Sequence, residues 1–139
     1  MTPIAQRLYS IWKVTTTRDF DKWFAKLMPD AQAEIIAKVE LLKAFGPRLG
    51  SPHADTLNGS KHSNMKELRA DTGEQVMRIA FAFDPERNAI ILVAGDKAGV
   101  SQTQFYRQLI AKADGLFDAH LAALAARKKA KGHKNGKNI

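Results

Sequence analysis

The chain is predicted to be α+β: an N-terminal strand and a helical hairpin, then an antiparallel three-strand meander completing a mostly antiparallel sheet, then a C-terminal helix. Three observations predict this. Apolar residues recur at helical spacing in three separate stretches: Phe20 to Leu27, Ile35 to Leu42 and Phe105 to Leu124. Between the second and third stretches, from about Met65 to Ala94, short runs of strand formers are divided by turn residues. A length of 139 residues with 45% hydrophobic content suits one domain with one core.

The elements follow in order. Ile11 to Thr15 alternates and is rich in strand formers, so it reads as the first strand. Thr16 and Thr17 can cap a following helix, and Asp19 falls in its first turn, where the helix dipole favours an acid. Phe20, Trp23, Phe24 and Leu27 give that helix its apolar face. Pro29-Asp30 restarts the chain as a second helix with Ile35, Ile36, Val39 and Leu42 as its stripe, and Gly46-Pro47 ends it. The two helices are expected to pack as an antiparallel pair. Arg48 to Asn64 shows little periodicity and reads as one long loop, a feature often functional in compact domains.

In the meander, Leu68 points inward, so Glu67 and Arg69 share the other face. Asp71 to Glu74 is a turn. Met77, Ile79, Phe81 and Phe83 form one face of the next strand, and Val76, Arg78, Ala80 and Ala82 the other. Ala89 to Ala94 is nearly all apolar, as expected of a strand buried on both faces. The closing helix is expected over Gln104 to Ala126, with Gly115 a candidate break.

Charge is concentrated at one end. The formal net charge is +8, but Arg127, Lys128, Lys129, Lys131, Lys134 and Lys137 all lie in the last 13 residues with no acid among them. Residues 1–126 hold 16 basic against 14 acidic residues, so the folded body is nearly balanced. The expected division is therefore a domain over 1–126 and a basic, disordered tail over 127–139. The absence of cysteine excludes disulfides and thiolate metal sites and fits a reducing compartment. No apolar run approaches a membrane span, and Met1 to Ser10 lacks the apolar core of a signal peptide, so cytoplasm is the expected location.

Arg69 and Arg78 are the sharpest candidates for chemistry. They lie on adjacent antiparallel strands and share a face by parity. Two neighbouring like charges cost stability unless something offsets them. A phosphodiester would, because arginine binds phosphate bidentately; the alternative is a solvated face on which Glu67 or Glu74 pairs with one arginine. Lys97 and Lys66 flank the meander and could reach the rim of the same face. Asp96 is an acid/base candidate or a turn former. His53 and His62 lie in the long loop and titrate near neutrality, but their spacing makes no metal signature. His120 reads as structural, and His133 belongs to the tail. Tyr106, Trp12 and Trp23 could stack on bases, although their neighbours suggest packing. No glycine-rich phosphate loop or Ser/His/Asp set is present.

From about Trp12 to Leu124 the chain resembles the RelE/ParE superfamily of type II toxins, most closely its HigB-like, phage-derived Gp49-like branch. The resemblance rests on element order and on the phrases Leu57-Asn58-Gly59-Ser60, Met65-Lys66-Glu67-Leu68-Arg69, Arg78-Ile79-Ala80-Phe81 and Gly95-Asp96-Lys97. Phe105-Tyr106-Arg107 through Ala113-Asp114 to Asp118-Ala119-His120-Leu121 extends it along the closing helix. It implies a small RelE-like fold and a ribosome-dependent, metal-independent endoribonuclease without cofactors. Such an enzyme cuts mRNA in the A site and inhibits translation. A cognate antitoxin, often of helix-turn-helix type, would neutralise it.

By the same resemblance, Arg69, Arg78 and Lys97 would stabilise the transition state, with Lys66 and His62 as further catalytic positions. Lys61, His53, Asp96 and Tyr106 would contact RNA, and the charge of the tail adds Lys128 and Lys129 as RNA-contact candidates. The general base and acid stay open among His62, His53, Asp96 and Lys66. The chain departs from the common pattern after the last strand, where Gly95-Asp96-Lys97-Ala98-Gly99 carries no aromatic and Tyr106 stands farther on, in the closing helix. Two other readings remain: a ParE-like gyrase-inhibiting toxin, and a non-catalytic nucleic-acid-binding module using the lysine-rich tail.

Overall fold

Nine elements follow one another in the computed structural model, which describes residues 12–137. They are β1 (Lys13–Thr16), α1 (Arg18–Ala25), α2 (Pro29–Phe45), a 3-10 turn (Gly46–Arg48), β2 (Ala54–Thr56), β3 (Met65–Asp71), β4 (Val76–Phe83), β5 (Asn88–Asp96) and α3 (Gln102–Lys137). Ile11, the first residue of the expected first strand, and the Met1 to Ser10 segment lie outside the described residues. Among those described, no helix is long and apolar enough to cross a membrane.

The strands form one five-stranded sheet in the order β1-β5-β4-β3-β2. β1 runs parallel to β5, and every other pair is antiparallel. The α+β class, the meander and its mostly antiparallel sheet are as the sequence predicts. Part of the expected long loop is instead strand: Ala54–Thr56 pairs with β3, setting Asp55 opposite Glu67. Three residues with no apolar alternation carry no strand signal of their own. The hydrogen-bonding edge of β3 makes them a strand.

Helices cover both faces of the sheet, as the two-sided apolar character of β4 and β5 demands. On one face Phe20 of α1 and Ala31, Ile35 and Leu42 of α2 pack with Leu68, Met77, Ile79, Phe81 and Ile91. On the other, Leu109, Ala113 and Phe117 of α3 pack with Met65, Ala80, Ala82, Ile90 and Leu92. The caps are local. Thr17 accepts a hydrogen bond from the Phe20 amide at 3.1 Å and begins α1. Gly46 ends α2 at φ +57°, and a β-carbon there would lie 2.3 Å from the Trp12 ring, so only glycine fits.

Two expectations about helices are corrected. α1 and α2 lie mainly on the sheet, α1 against β5 and α2 against β3, rather than along each other as a tightly packed pair. α3 neither breaks at Gly115 nor stops at Ala126; it runs to Lys137. An exposed glycine costs a helix about 1 kcal/mol relative to alanine, less than the burial of Leu109, Ala113 and Phe117 supplies. Beyond Ala126 the residues are mostly Lys, Arg and Ala, all strong helix formers. The segment expected to be disordered is thus helical as far as Lys137.

Candidate active site

Arg69 on β3 and Arg78 on β4 stand directly opposite each other in the sheet register. Their side chains share the α3 face, as parity predicts, and directly paired residues lie about 5 Å apart at Cα. The environment of Arg78 is set by a register shift between Ala80 and Phe81, where β4 meets β5. Beyond the shift, Gly95 sits opposite Arg78. Gly95 has no side chain to crowd the arginine, and a β-carbon on it would come within 3.0 Å of the Phe105 ring. The same glycine therefore lets α3 approach and brings Tyr106 over the pair.

Glu67 lies at the centre of this group. It is two residues before Arg69, hence on the same face, and buried. Arg69 Nε donates to Glu67 Oε2 at 3.1 Å, and the Tyr106 hydroxyl donates to Oε1 at 2.8 Å. Arg69 also donates to Asp55 at 3.2 Å, and Arg78 donates to Asp71 at 2.7 Å and to its neighbour's carbonyl, Met77 O, at 2.9 Å. Glu74 takes neither arginine. Arg78 Nε is buried and has no hydrogen-bond partner. Lys97 Nζ sits 5.3 Å from the centre of the Tyr106 ring, a cation–π contact at the rim.

These contacts set the protonation states. Burial and then the Glu67 carboxylate hold the Tyr106 phenol above its ordinary pKa, against the opposing pull of Arg78. Tyr106 therefore keeps its proton at neutral pH. Burial works against the charge on Arg69, but Glu67 and Asp55 outweigh it and raise its pKa further. Arg69 is therefore fully cationic.

The structure separates several residues that the sequence grouped here. Lys66 has the parity of Leu68, so it points to the opposite face, where its ammonium donates to Pro47 O at 3.2 Å. His62 bonds Asp118 of α3 at 2.8 Å and packs edge-on against Phe117, with ring centres 4.9 Å apart. Asp118 is about 18 Å along the helix from Tyr106, so His62 is not beside the arginines. Lys61 pairs with the same Asp118, which raises the lysine's pKa and, with His62, lowers that of the carboxylate. Lys61 and His62, with Ser60 bonded to Asp114, tie the loop before β3 to α3. His53 Nδ1 accepts from Lys38 of α2 at 2.8 Å. Asp96 accepts from the Val76 and Ala98 amides, each at 3.0 Å, and is a turn former. Lys128 and Lys129 are exposed near the far end of α3.

Glu67 is the residue that sequence reasoning passed over as chemistry. Its i, i+2 relation to Arg69 was a usable signal. The partnership with Tyr106 had none, because 39 residues separate them.

Residues 22–118 match the family model described as phage-derived protein Gp49-like (DUF891). Over 101 residues the chain is 48% identical to the candidate toxin HigB2 of Mycobacterium tuberculosis, covering 72% of this chain and 50% of that one. Over 79 residues it is 49% identical to the candidate toxin HigB3 of the same organism, covering 57% of this chain and 68% of that one. The matched region thus spans about half the length of HigB2. A free-state double mutant of the E. coli toxin RelE superposes with a TM-score of 0.53 at 12% identity, over 72% of this chain and 94% of that one. That likeness concerns the fold alone. The chain belongs to the phage-derived Gp49-like family, is similar in sequence to HigB toxins, and has a RelE-like fold.

Proposed function

We propose that this protein is the toxin of a type II toxin–antitoxin system and acts as a metal-independent endoribonuclease on mRNA in the ribosomal A site. The observation that carries the reading is the direct pairing of Arg69 with Arg78, with Glu67 and Tyr106 hydrogen-bonded beside them. In the proposed reaction the ribose 2′-hydroxyl attacks the adjacent phosphorus. The P–O5′ bond breaks, leaving a 2′,3′-cyclic phosphate and a 5′-hydroxyl. Arg69 and Arg78 hold the phosphate oxygens and offset the growing charge. Glu67 accepts the 2′-hydroxyl proton, and Tyr106 returns a proton to the departing 5′-oxygen. Lys97 holds the strand at the rim.

The carboxylates on the arginines do not bar this role. Asp55 and Asp71 are more than half exposed, so each carboxylate can turn to solvent when a phosphate takes its place. A bidentate phosphate can displace them. The antitoxin that would silence the protein is expected to be a helix-turn-helix protein.

The test is brief induction in cells followed by mapping of all mRNA 5′ ends. New ends confined to translated frames, at fixed codon positions and absent with Arg69→Ala or Arg78→Ala, are expected. Growth arrest with intact mRNA and DNA-damage signalling would instead favour the ParE-like reading.

A further inference from the structure

A second cationic site lies at the other end of α3, and nothing in the proposed reaction uses it. Lys13 of edge strand β1 faces Arg127, Lys128 and Lys131 of α3 across a cleft of about 470 Å³. Thr15 and Asn88 line its floor. Two features make this more than a charged helix end. The cations come from two elements distant in sequence, brought together because Lys13 and Thr15 alternate onto the α3 face while Val14 and Thr16 line a groove on the other. On the helix, residues 127, 128 and 131 recur at the spacing that places them on one face.

All four cations are exposed, and among the described residues none of them makes an ion pair. The acids nearby do not neutralise them. Asp84 is buried and engaged by His120 at 2.8 Å and by the Glu86 and Asn88 amides, each at 2.9 Å. Glu86 alone is left at the mouth.

We propose that this cleft is a phosphate-binding site for the backbone of a folded RNA, separate from the strand held at Arg69 and Arg78. The chemistry selects the ligand. Arginine and lysine around a polar floor suit phosphodiester oxygens. A protein partner would seek an aromatic or aliphatic anchor pocket, and the cleft offers only the flanks of Ile90 and Leu124. The one ring in the lining, His120, is held by Asp84; with no Phe, Tyr or Trp beside it the site grips backbone and not base, so binding is indifferent to sequence and steep in salt. Tyr106 and Lys131 lie about 38 Å apart along α3. One RNA, or one RNA assembly, that engages both ends must be rigid over that span. The choice of RNA as the polyanion rests on the proposed nuclease reading.

The experiment measures binding of the full-length protein to a fluorescent, base-paired RNA hairpin across a salt series. The comparison is with the triple variant Arg127→Gln, Lys128→Gln, Lys131→Gln. A synthetic poly-glutamate is the second probe. The variant is expected to weaken hairpin binding by about tenfold or more and to flatten the log–log salt slope by about 2. Its thermal midpoint should not move, because the three side chains are exposed. Lys13→Gln, on the opposite wall, should weaken binding in the same direction. An unchanged affinity and slope in the triple variant would overturn the proposal. So would loss of poly-glutamate binding with hairpin binding intact, which would point to an acidic protein. Arg69→Ala with Arg78→Ala should leave hairpin binding through the cleft in place. If the wild-type protein cuts no mRNA yet binds the hairpin through these cations, the cleft stands and the nuclease reading falls.

Discussion

In the proposed reaction Tyr106 and Glu67 divide the proton work, and their substitutions separate the roles. Tyr106→Phe removes the hydroxyl but keeps the ring against Phe105 and Lys97. Cleavage by ribosome-bound protein should fall by about 10²–10⁴-fold, the usual contribution of a general acid, with little change in melting temperature. Glu67→Gln keeps an oxygen for Arg69 but cannot take a proton at neutral pH, so a comparable loss in rate should appear with binding retained. If both variants cut at the wild-type rate, the acid and base lie elsewhere. Lys66→Ala and His62→Ala should leave the chemical step near wild type, since one faces the opposite side of the sheet and the other is held by Asp118. Arg69 and Arg78 were legible as a pair from parity alone. Glu67 was legible as a partner of one arginine, but Asp55 and Asp71 were not: they lie 14 and 7 residues away, on a strand and a turn end whose positions depend on the register.

At the level of elements, the end of α2 and the turn before β5 are the most constrained. Gly46→Ala would add both a positive-φ penalty and a clash with the Trp12 ring. A loss of about 1–3 kcal/mol is expected in urea unfolding. Asp84 organises the turn between β4 and β5 and anchors α3 through His120. Burial alone would raise its pKa, but the His120 bond and the Asn88 and Glu86 amides outweigh burial and lower it.

A carboxylate with a folded pKa below its unfolded value contributes stability that is present above the unfolded value, about 3.9. That stability is lost as pH falls through the folded value. Stability measured by denaturant titration should therefore decline below about pH 4. Asp84→Asn should lower stability at neutral pH and flatten that decline. β2 belongs to this scale as well. Nothing in Ala54-Asp55-Thr56 announces a strand, and only the unpaired edge of β3 recruits it.

At the largest scale the described residues form a sheet with one helical layer on each side, and α3 serves two purposes along its length. Its first half carries Leu109, Ala113 and Phe117 into the core, so Phe117→Ala should cost about 3–5 kcal/mol. Its second half carries charge. Ending the chain after Ala126 should preserve the cooperative unfolding transition, because no buried residue lies beyond that point among those described. It should also weaken RNA association by removing Arg127, Lys128 and Lys131 from the cleft. A truncated chain that unfolds would show instead that the distal helix supports the core.

What the sequence by itself determined were the properties that depend on near neighbours. Strand alternation told which side of the meander faces the α1/α2 layer and which the arginines, and helical spacing located three helices. Thr17 and Gly46 marked two helix ends, and the ordered phrases from Leu57 to Lys97 indicated the Gp49-like family. Only the tertiary structure decided which of the candidate residues meet. The register shift opposite Leu92 and the absence of a side chain at Gly95 bring Tyr106 down onto Glu67. The same folding carries His62, Lys66 and His53 away to other partners. It sets Lys13 against a helix end more than a hundred residues later. Such meetings depend on contacts between residues far apart in the chain, and local periodicity carries no information about them.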